Sequence, residues 1–415
     1  MSFEWAPGEQ PPILEPHSEA KLRVLRAYLH AYCDTLNLRF QRDEFRLDLV
    51  DGFCGGGTYR EIDGSIVSGS PLIMLEEMQA ADQRLNQNRR KALSVDYQCY
   101  FVDKERPHIE HLRDVLSERG YGSEDDRILV REGRFEAECG AIIESILRRQ
   151  PRAGRAIFLL DQTGYSQVDL DLIRGIFRQL PAAEVILTYA ADALINFLAG
   201  RPEVLVRLEG LGLDRAQALD LIEHKQRGQH ALIQRTLKDL ILSATGATYY
   251  TPFFIRPVVS RRALWFVHLS KHPTARDVML QLHWELSNTF EHYGNGGLGM
   301  LGWDAMKDLD ALDLFNFTAE DEEAVRLDLM ESLPRELDAA VSKEPVPVGA
   351  VYRQVANQTA ATRSQLDKVI LQLFREREYD IRDKNNRRRT RRILRLQPTD
   401  HILLPDNLTL PFRAK

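Results

Sequence analysis

Between Phe45 and Ala190 five short apolar runs alternate with four stretches of helical periodicity, and that alternation leaves few folds open. FRLDLVD (45–51), DYQCYFVD (96–103), DRILVREG (126–133), RAIFLLDQ (155–162) and AEVILTYA (183–190) read as strands. SPLIMLEEMQAADQRL (70–85), RPHIEHLRDVLSER (106–119), EAECGAIIESILRRQ (136–150) and VDLDLIRGIFRQ (168–179) read as helices, with ADALINFLAG after the fifth strand. Strand and helix in turn predict an α/β fold: a mainly parallel sheet with helices on both faces. A helix precedes it. From Ser18, a candidate N-cap, Leu22, Leu25, Leu29 and Cys33 form one stripe at i, i+3, i+7 and i+11. RRALWFVHLSKHP (261–273) reads as one more strand followed by a turn.

The 415 residues are too many for one ordinary core, so two or three domains are expected. With 44% hydrophobic and 28% charged residues the composition is globular. No apolar run approaches the roughly 20 residues that span a bilayer. MSFEWAPGEQPP has neither a basic nor an apolar leader segment, so a cytoplasmic protein is expected. Cys33, Cys54, Cys99 and Cys139 stand far apart with no C-x-x-C pair, which points to neither a zinc site nor disulfides. Net charge is −6, but charge is segregated along the chain. Residues 304–338 hold 12 acids and 3 bases, and residues 375–395 hold 10 bases and 4 acids.

The domain reading follows. Residues 1–16 are Pro-rich and irregular; 17–300 form the α/β domain; 301–343 form an acidic helical connector. EPVPVG (344–349) is a break that opens a basic domain over 344–415. In it, two short helices precede two strands around a turn at Asp383–Asn386, an order resembling a winged helix. Arg387, Arg388, Arg389, Arg391 and Arg392 are the candidate nucleic-acid contacts, because such residues on a wing give salt-dependent affinity for phosphates. DNA and RNA are not distinguished. The alternative is a winged helix for protein contacts, its arginines paired with the acidic connector.

The glycine cluster after the first strand is the chemical centre of the sequence. Asp51, Gly52, Phe53, Cys54, Gly55 and Gly57 spell D-G-F-C-G-x-G. Glycine is expected where backbone must approach a ligand closely. The spacing differs from the G-x-G-x-x-G of dinucleotide sites and resembles the first motif of class I S-adenosylmethionine-dependent methyltransferases. That resemblance implies a sulfonium cofactor, with the acid at the strand end near its methionine moiety. Asp103 closes the second strand, where a carboxylate can accept both ribose hydroxyls; it also suits the N-cap of the following helix. The insert GTYREIDGSIVSGSP between them could cover the site as a lid. Arg134 stands where such enzymes often place an acid or amide for adenine.

Asp161 closes the fourth strand in FLLDQTGYS (158–166), with Tyr165 beyond it. Amino-methyltransferases of nucleobases often carry Asp/Asn-Pro-Pro-aromatic here, the aromatic stacking on a flipped base. Asp161 and Tyr165 are therefore the candidate catalytic residues, although both prolines are missing. Cys54 reads as a small residue packed beneath the cofactor rather than a nucleophile.

HSEAKLRVLRAYL (17–29), LVDGFCGGGTY (49–59), SGSPLIML (68–75) and WFVHLSKHPTARDVM (265–279), in this order, resemble the three-Cys-motif partner family of bacterial proteins over roughly residues 15–300. The resemblance implies a Rossmann-like class I methyltransferase fold and a partner protein with a three-cysteine motif. It carries over His17 and Lys21, four apart on one helical face, and, from the family's Asp-Pro-Phe-Gly pattern, Asp161 and Gly164. A metal held by His17 and His272 lacks a third ligand, and no metal is expected. Two functions stay open: an S-adenosylmethionine-dependent methyltransferase acting on nucleic acid, or a catalytically inactive methyltransferase-like scaffold that binds nucleic acid or protein beside another enzyme. Phage defence is a setting for either.

Overall fold

The computed structural model describes residues 3–6, 8–37, 43–122, 125–152, 154–161, 169–189, 216, 219, 223, 230–255, 264–286, 292–293, 314–315, 318–393 and 395–405. The chain divides into two compact units, residues 1–228 with 236–282, and residues 229–235 with 283–415.

In the first unit, α1 (Pro16–Asn37) is followed by β1 (Glu44–Asp51), β2 (Thr58–Arg60), β3 (Ile66–Ser68), α2 (Ser70–Asn86), β4 (Ser94–Asp103), α3 (Arg106–Glu118) and β5 (Ile128–Glu132). Then come α4 (Phe135–Arg149), β6 (Ala156–Leu160), α5 (Leu170–Gln179), β7 (Glu184–Tyr189), α6 (His230–Thr245, in this unit from residue 236), β8 (Tyr249–Ile255), β9 (Leu264–Ser270) and α7 (Pro273–Glu285, in this unit to residue 282). Ser18 is not the cap of α1: the helix starts at Pro16, and the amides of Ser18 and Glu19 both donate to the Glu15 carbonyl. Proline at the first helical position forfeits only an amide that has no partner there.

Seven strands form one sheet in the order β5-β4-β1-β6-β7-β9-β8. The first five run parallel, and β9 is antiparallel to both β7 and β8. This is a Rossmann-like sheet. Its central strands are buried on both faces, as the unbroken burial of Ala156–Leu160 shows, which is why they read as continuous apolar runs rather than alternating ones. Helix α1 covers the face that carries Leu49, Ile157 and Glu184, since Tyr28 bonds Glu184 and His268 there. The opposite face carries Asp48, which is held by Arg149 at the end of α4 and by Gln150. The chain moves outward from β1 through β4 to β5, then returns to lay β6 on the other flank of β1. The strand order therefore reverses between β1 and β6, the point at which open α/β sheets bind ligands at their carboxyl ends.

In the second unit, β10 (His292–Tyr293) pairs with β11 (Leu314–Phe315). Next come α8 (Ala319–Val341), β12 (Val346–Pro347), α9 (Val348–Val355), α10 (Arg363–Arg375), β13 (Asp380–Arg382) and β14 (His401–Leu403). The last three strands form an antiparallel sheet, β12-β14-β13. Val325, Leu329, Leu333, Leu337 and Val341 bury one stripe of α8. Its acidic first turn is closed by a capping box between Thr318 and Asp321, where negative charge suits the helix dipole.

Candidate functional site

Three neighbouring strands bring three carboxylates to one edge of the sheet. β4 ends on Asp103, β1 on Asp51, and Asp161 directly follows β6. Register fixes their alignment: Asp51 lies beside Phe101 on one flank and Leu159 on the other.

The glycine loop is bolted between these strands. Gly52 N donates to Leu159 O (2.9 Å), Cys54 N to Val102 O (3.0 Å), Gly55 N to Asp103 Oδ2 (3.0 Å) and Phe53 N to Asp51 Oδ1 (3.2 Å). Gly55 and Gly57 sit at φ 58° and 83°, where a side chain would be strained. The close approach expected of these glycines is real, but its partner is the protein itself. A Cβ on Gly55 would stand 2.8 Å, and one on Gly56 2.3 Å, from the Trp5 indole; one on Gly57 would stand 2.6 Å from Leu112. Trp5 comes from the irregular N-terminal segment. It is buried, donates Nε1–H to Thr58 O (2.7 Å), and meets Tyr59 and His108 edge-on at centroid distances of 5.3 and 4.9 Å. The insert expected as a lid is a hairpin of β2 and β3, extended by a bridge from Ile13 to Arg60.

The three acids differ in surroundings. Asp51 is wholly buried, and burial pushes its carboxyl up to about 7 against the opposing pull of Ser70 and the Phe53 amide. Its Oδ2 has no hydrogen-bond partner. Burial also works to raise Asp103, but hydrogen bonds from His108 (3.2 Å) and from the amides of Glu105 (2.9 Å) and Gly55 outweigh it and hold the acid below the usual carboxylate range. Asp103 is not the N-cap of α3, a position that Glu105 takes. Asp161 accepts from Lys21 Nζ on both oxygens (2.6 and 2.5 Å) and from the Thr188 hydroxyl. His17, one turn before Lys21, is held below its ordinary pKa by burial and by the Lys21 charge. Burial raises the Cys54 thiol well above its usual value, so the sulfur is neutral and packed.

A cavity of about 380 Å³ opens over this edge, within the ~300–1,000 Å³ typical of small-molecule sites. Lys21, Gly52, Phe53, Ser70 and Asp161 line the side near β1 and β6; Asp103, His108, Arg134, Phe135 and Glu136 line the side near β4 and β5. Phe135 stands 6.1 Å from Phe53, centroid to centroid. Arg134 points to Glu136 at 3.5 Å. A cavity of about 630 Å³ lies at the opposite edge, where Arg155, Glu184 and Lys271 surround the amino-terminal ends of β6 and β7. The smaller cavity is the candidate site, because it lies at the carboxyl ends and holds the acids.

Of the residues expected at the site, Gly52, Phe53, Gly55, Asp103 and Asp161 line this cavity, Asp51, Cys54 and Gly57 are buried in the strand end and loop without lining it, and Gly164 and Tyr165 lie outside the described residues. Trp5, Ser70, His108, Phe135 and Thr188 join the site without having been singled out from sequence; only the strand-end and helix-start positions of Ser70 and Phe135 offered a signal. In the second unit, three of the five arginines around the turn are committed to acids outside the acidic helix. Arg388 and Arg391 bond buried Asp380 (2.7 and 2.9 Å), Arg389 bonds buried Asp400 (2.7 Å), and Arg391 lies over Phe374. Arg387 and Arg392 are exposed. The acidic helix α8 engages Lys368 through Glu322 and Tyr379 through Asp338. Among the described residues no three of His, Cys, Asp and Glu are placed to hold a metal ion, and no helix is long and apolar enough to cross a membrane.

No family model matches the chain, and no curated protein matches it. Solved structures show a weak likeness. Protein LPL1258 from Legionella pneumophila str. Philadelphia 1 has a TM-score of 0.36 at 10% identity, over 64% of this chain and 91% of its own. An rRNA methylase from Streptococcus thermophilus scores 0.25 at 15% identity, over 59% and 94%. A precorrin-6y C5,15-methyltransferase from Geobacter metallireducens scores 0.25 at 10%, over 58% and 87%. Likeness at this level carries no inference about function.

Proposed function

We propose that the first unit binds S-adenosylmethionine and transfers its methyl group to nucleic acid, which the second unit holds. The observation that carries the reading is the row Asp103, Asp51, Asp161 beneath a cavity at the reversal of strand order. Three carboxylates repel a phosphate-bearing cofactor and suit a cationic one. Asp51 is a buried acceptor with an unpaired oxygen, and such a group is costly unless a ligand completes it. An ammonium group supplies that donor, and a sulfonium nearby supplies compensating charge. Asp103, held ionised at the neighbouring strand end, suits the ribose hydroxyls, and buried Phe135 forms part of the apolar wall beside it. The bound cofactor would supply an electrophilic methyl group. The chain's own residues would orient it and place Asp161 beside the acceptor.

In the domain read over residues 344–415, the order strand, helix, helix, strand, turn, strand, with a three-stranded antiparallel sheet, supports the winged-helix reading. Exposed Arg387 and Arg392 are then the phosphate contacts, while Arg388, Arg389 and Arg391 hold the wing in shape. A partner carrying a three-cysteine motif belongs to the same proposal. A second reading has its own observation. Asp161 is already engaged by Lys21 and Thr188, as in a scaffold that no longer uses it.

Incubation with methyl-tritiated S-adenosylmethionine and mixed RNA or DNA tests the choice. Label in nucleic acid that is lost in Asp161→Ala is expected. Cofactor binding without label in either nucleic acid would favour the scaffold.

A further inference from the structure

We propose that Lys21 leaves Asp161 to bind the carboxylate of the cofactor's methionine end, and that cofactor binding is what frees Asp161 for the acceptor. This rests on the S-adenosylmethionine reading. The Lys21 side chain is 9% exposed, and its ammonium meets both oxygens of Asp161. It lines the cavity beside Asp161, where β6 ends. The other lysine and arginine of the lining, Lys104 and Arg134, follow β4 and β5 instead.

A methionine end carries two charges of opposite sign beside the sulfonium. Its ammonium and the sulfonium find carboxylates in plenty along this edge. Among the described residues on this side of the lining, its carboxylate finds Asp161, which repels it, and one ammonium. Lys21 is therefore the group that can neutralise it. The lysine stem has four rotatable carbons and no fixed fork, so its ammonium can turn between two acceptors. The exchange replaces one charge-assisted hydrogen-bonded pair by another. Asp161 keeps the Thr188 hydroxyl, and its side chain is 25% exposed, so its released oxygen stays solvated. Binding is then ordered, cofactor before acceptor, because an amine or hydroxyl acceptor meets an occupied carboxylate until Lys21 has moved. Lys21 is a positioning residue in this scheme, acting on the cofactor's far end and on Asp161.

Calorimetric titration with S-adenosylmethionine and with decarboxylated S-adenosylmethionine tests this. Wild type is expected to prefer the carboxylate-bearing form by about tenfold or more. In Lys21→Met the ratio is expected to fall to near one. Should Lys21→Met fail to fold with Asp161 left unpaired, Lys21→Met with Asp161→Asn reports the same ratio. A folded variant that keeps the full preference, or a wild type that binds both forms equally, overturns the proposal and leaves the cofactor reading standing. A wild type that binds neither form overturns both.

Discussion

Gly56 needs no unusual backbone angle, yet a methyl group there would sit 2.3 Å from the indole of Trp5. Its identity is set by a side chain about fifty positions away in sequence. Gly56→Ala is expected to push Trp5 off the loop, break its bond to Thr58, and destabilise the protein by about 1–3 kcal/mol. Denaturant unfolding checks this, and the penalty should shrink in a Trp5→Ala background, because the two changes act on one contact. Asp51 yields a pH prediction. Its carboxyl is raised to about 7 by burial, so between about pH 4 and 7 the native state keeps a proton that the unfolded chain has lost. Stability from this group therefore falls as pH rises through that window and is level above it. Asp51→Asn keeps the acceptor for the Phe53 amide and should be more stable than wild type at pH 8 by on the order of 2–4 kcal/mol, with little difference at pH 4. Unfolding midpoints at the two pH values check both arms. A cationic ligand reverses the preference, so cofactor affinity in wild type should rise with pH through 7.

At the scale of elements, the sheet is tied to the helices on each face by buried polar contacts rather than by apolar packing alone. Asp48, in the middle of β1, is pushed up to about 6 by burial, while the Arg149 guanidinium and Gln150 pull it down. Removing one partner of such a pair strands the other, so Arg149→Leu should cost about 3–5 kcal/mol by denaturant unfolding. Asp48→Val with Arg149→Leu should recover most of the loss. The elements differ in how plainly the sequence displays them. β1, β4, β6 and β7 are covered on both faces and show as apolar runs. β8 carries Pro252, which argues against a strand, but it is the edge of the sheet, where a missing ladder amide is tolerated. The three-residue strands β2 and β3 are too short to show a period. Asp51, Asp103 and Asp161 were legible because each closes an apolar run. Trp5, His108 and the Lys21–Asp161 bond were not, since these contacts join residues with no local pattern between them.

For the whole molecule, each unit has its own chemistry: an acidic sheet edge over a cavity in one, and an arginine-rich turn in the other. The arginine cluster reads from sequence as one basic patch, but buried Asp380 and Asp400 divide it by role. Arg387→Ala with Arg392→Ala should weaken binding to a nucleic-acid duplex. Its salt slope should drop by about 1 for each phosphate no longer neutralised, with the melting temperature unchanged. Arg389→Ala should lower the melting temperature, because it leaves Asp400 buried without its guanidinium. Salt-dependent binding and thermal melts of both variants separate the two roles. The central claim, that the carboxylate-rimmed cavity takes S-adenosylmethionine, is tested most directly by calorimetric titration of wild type and Asp103→Ala with that compound. One saturable site in wild type, abolished or at least about tenfold weaker in Asp103→Ala, is the expected result. No binding to wild type, or equal binding to both proteins, would contradict it.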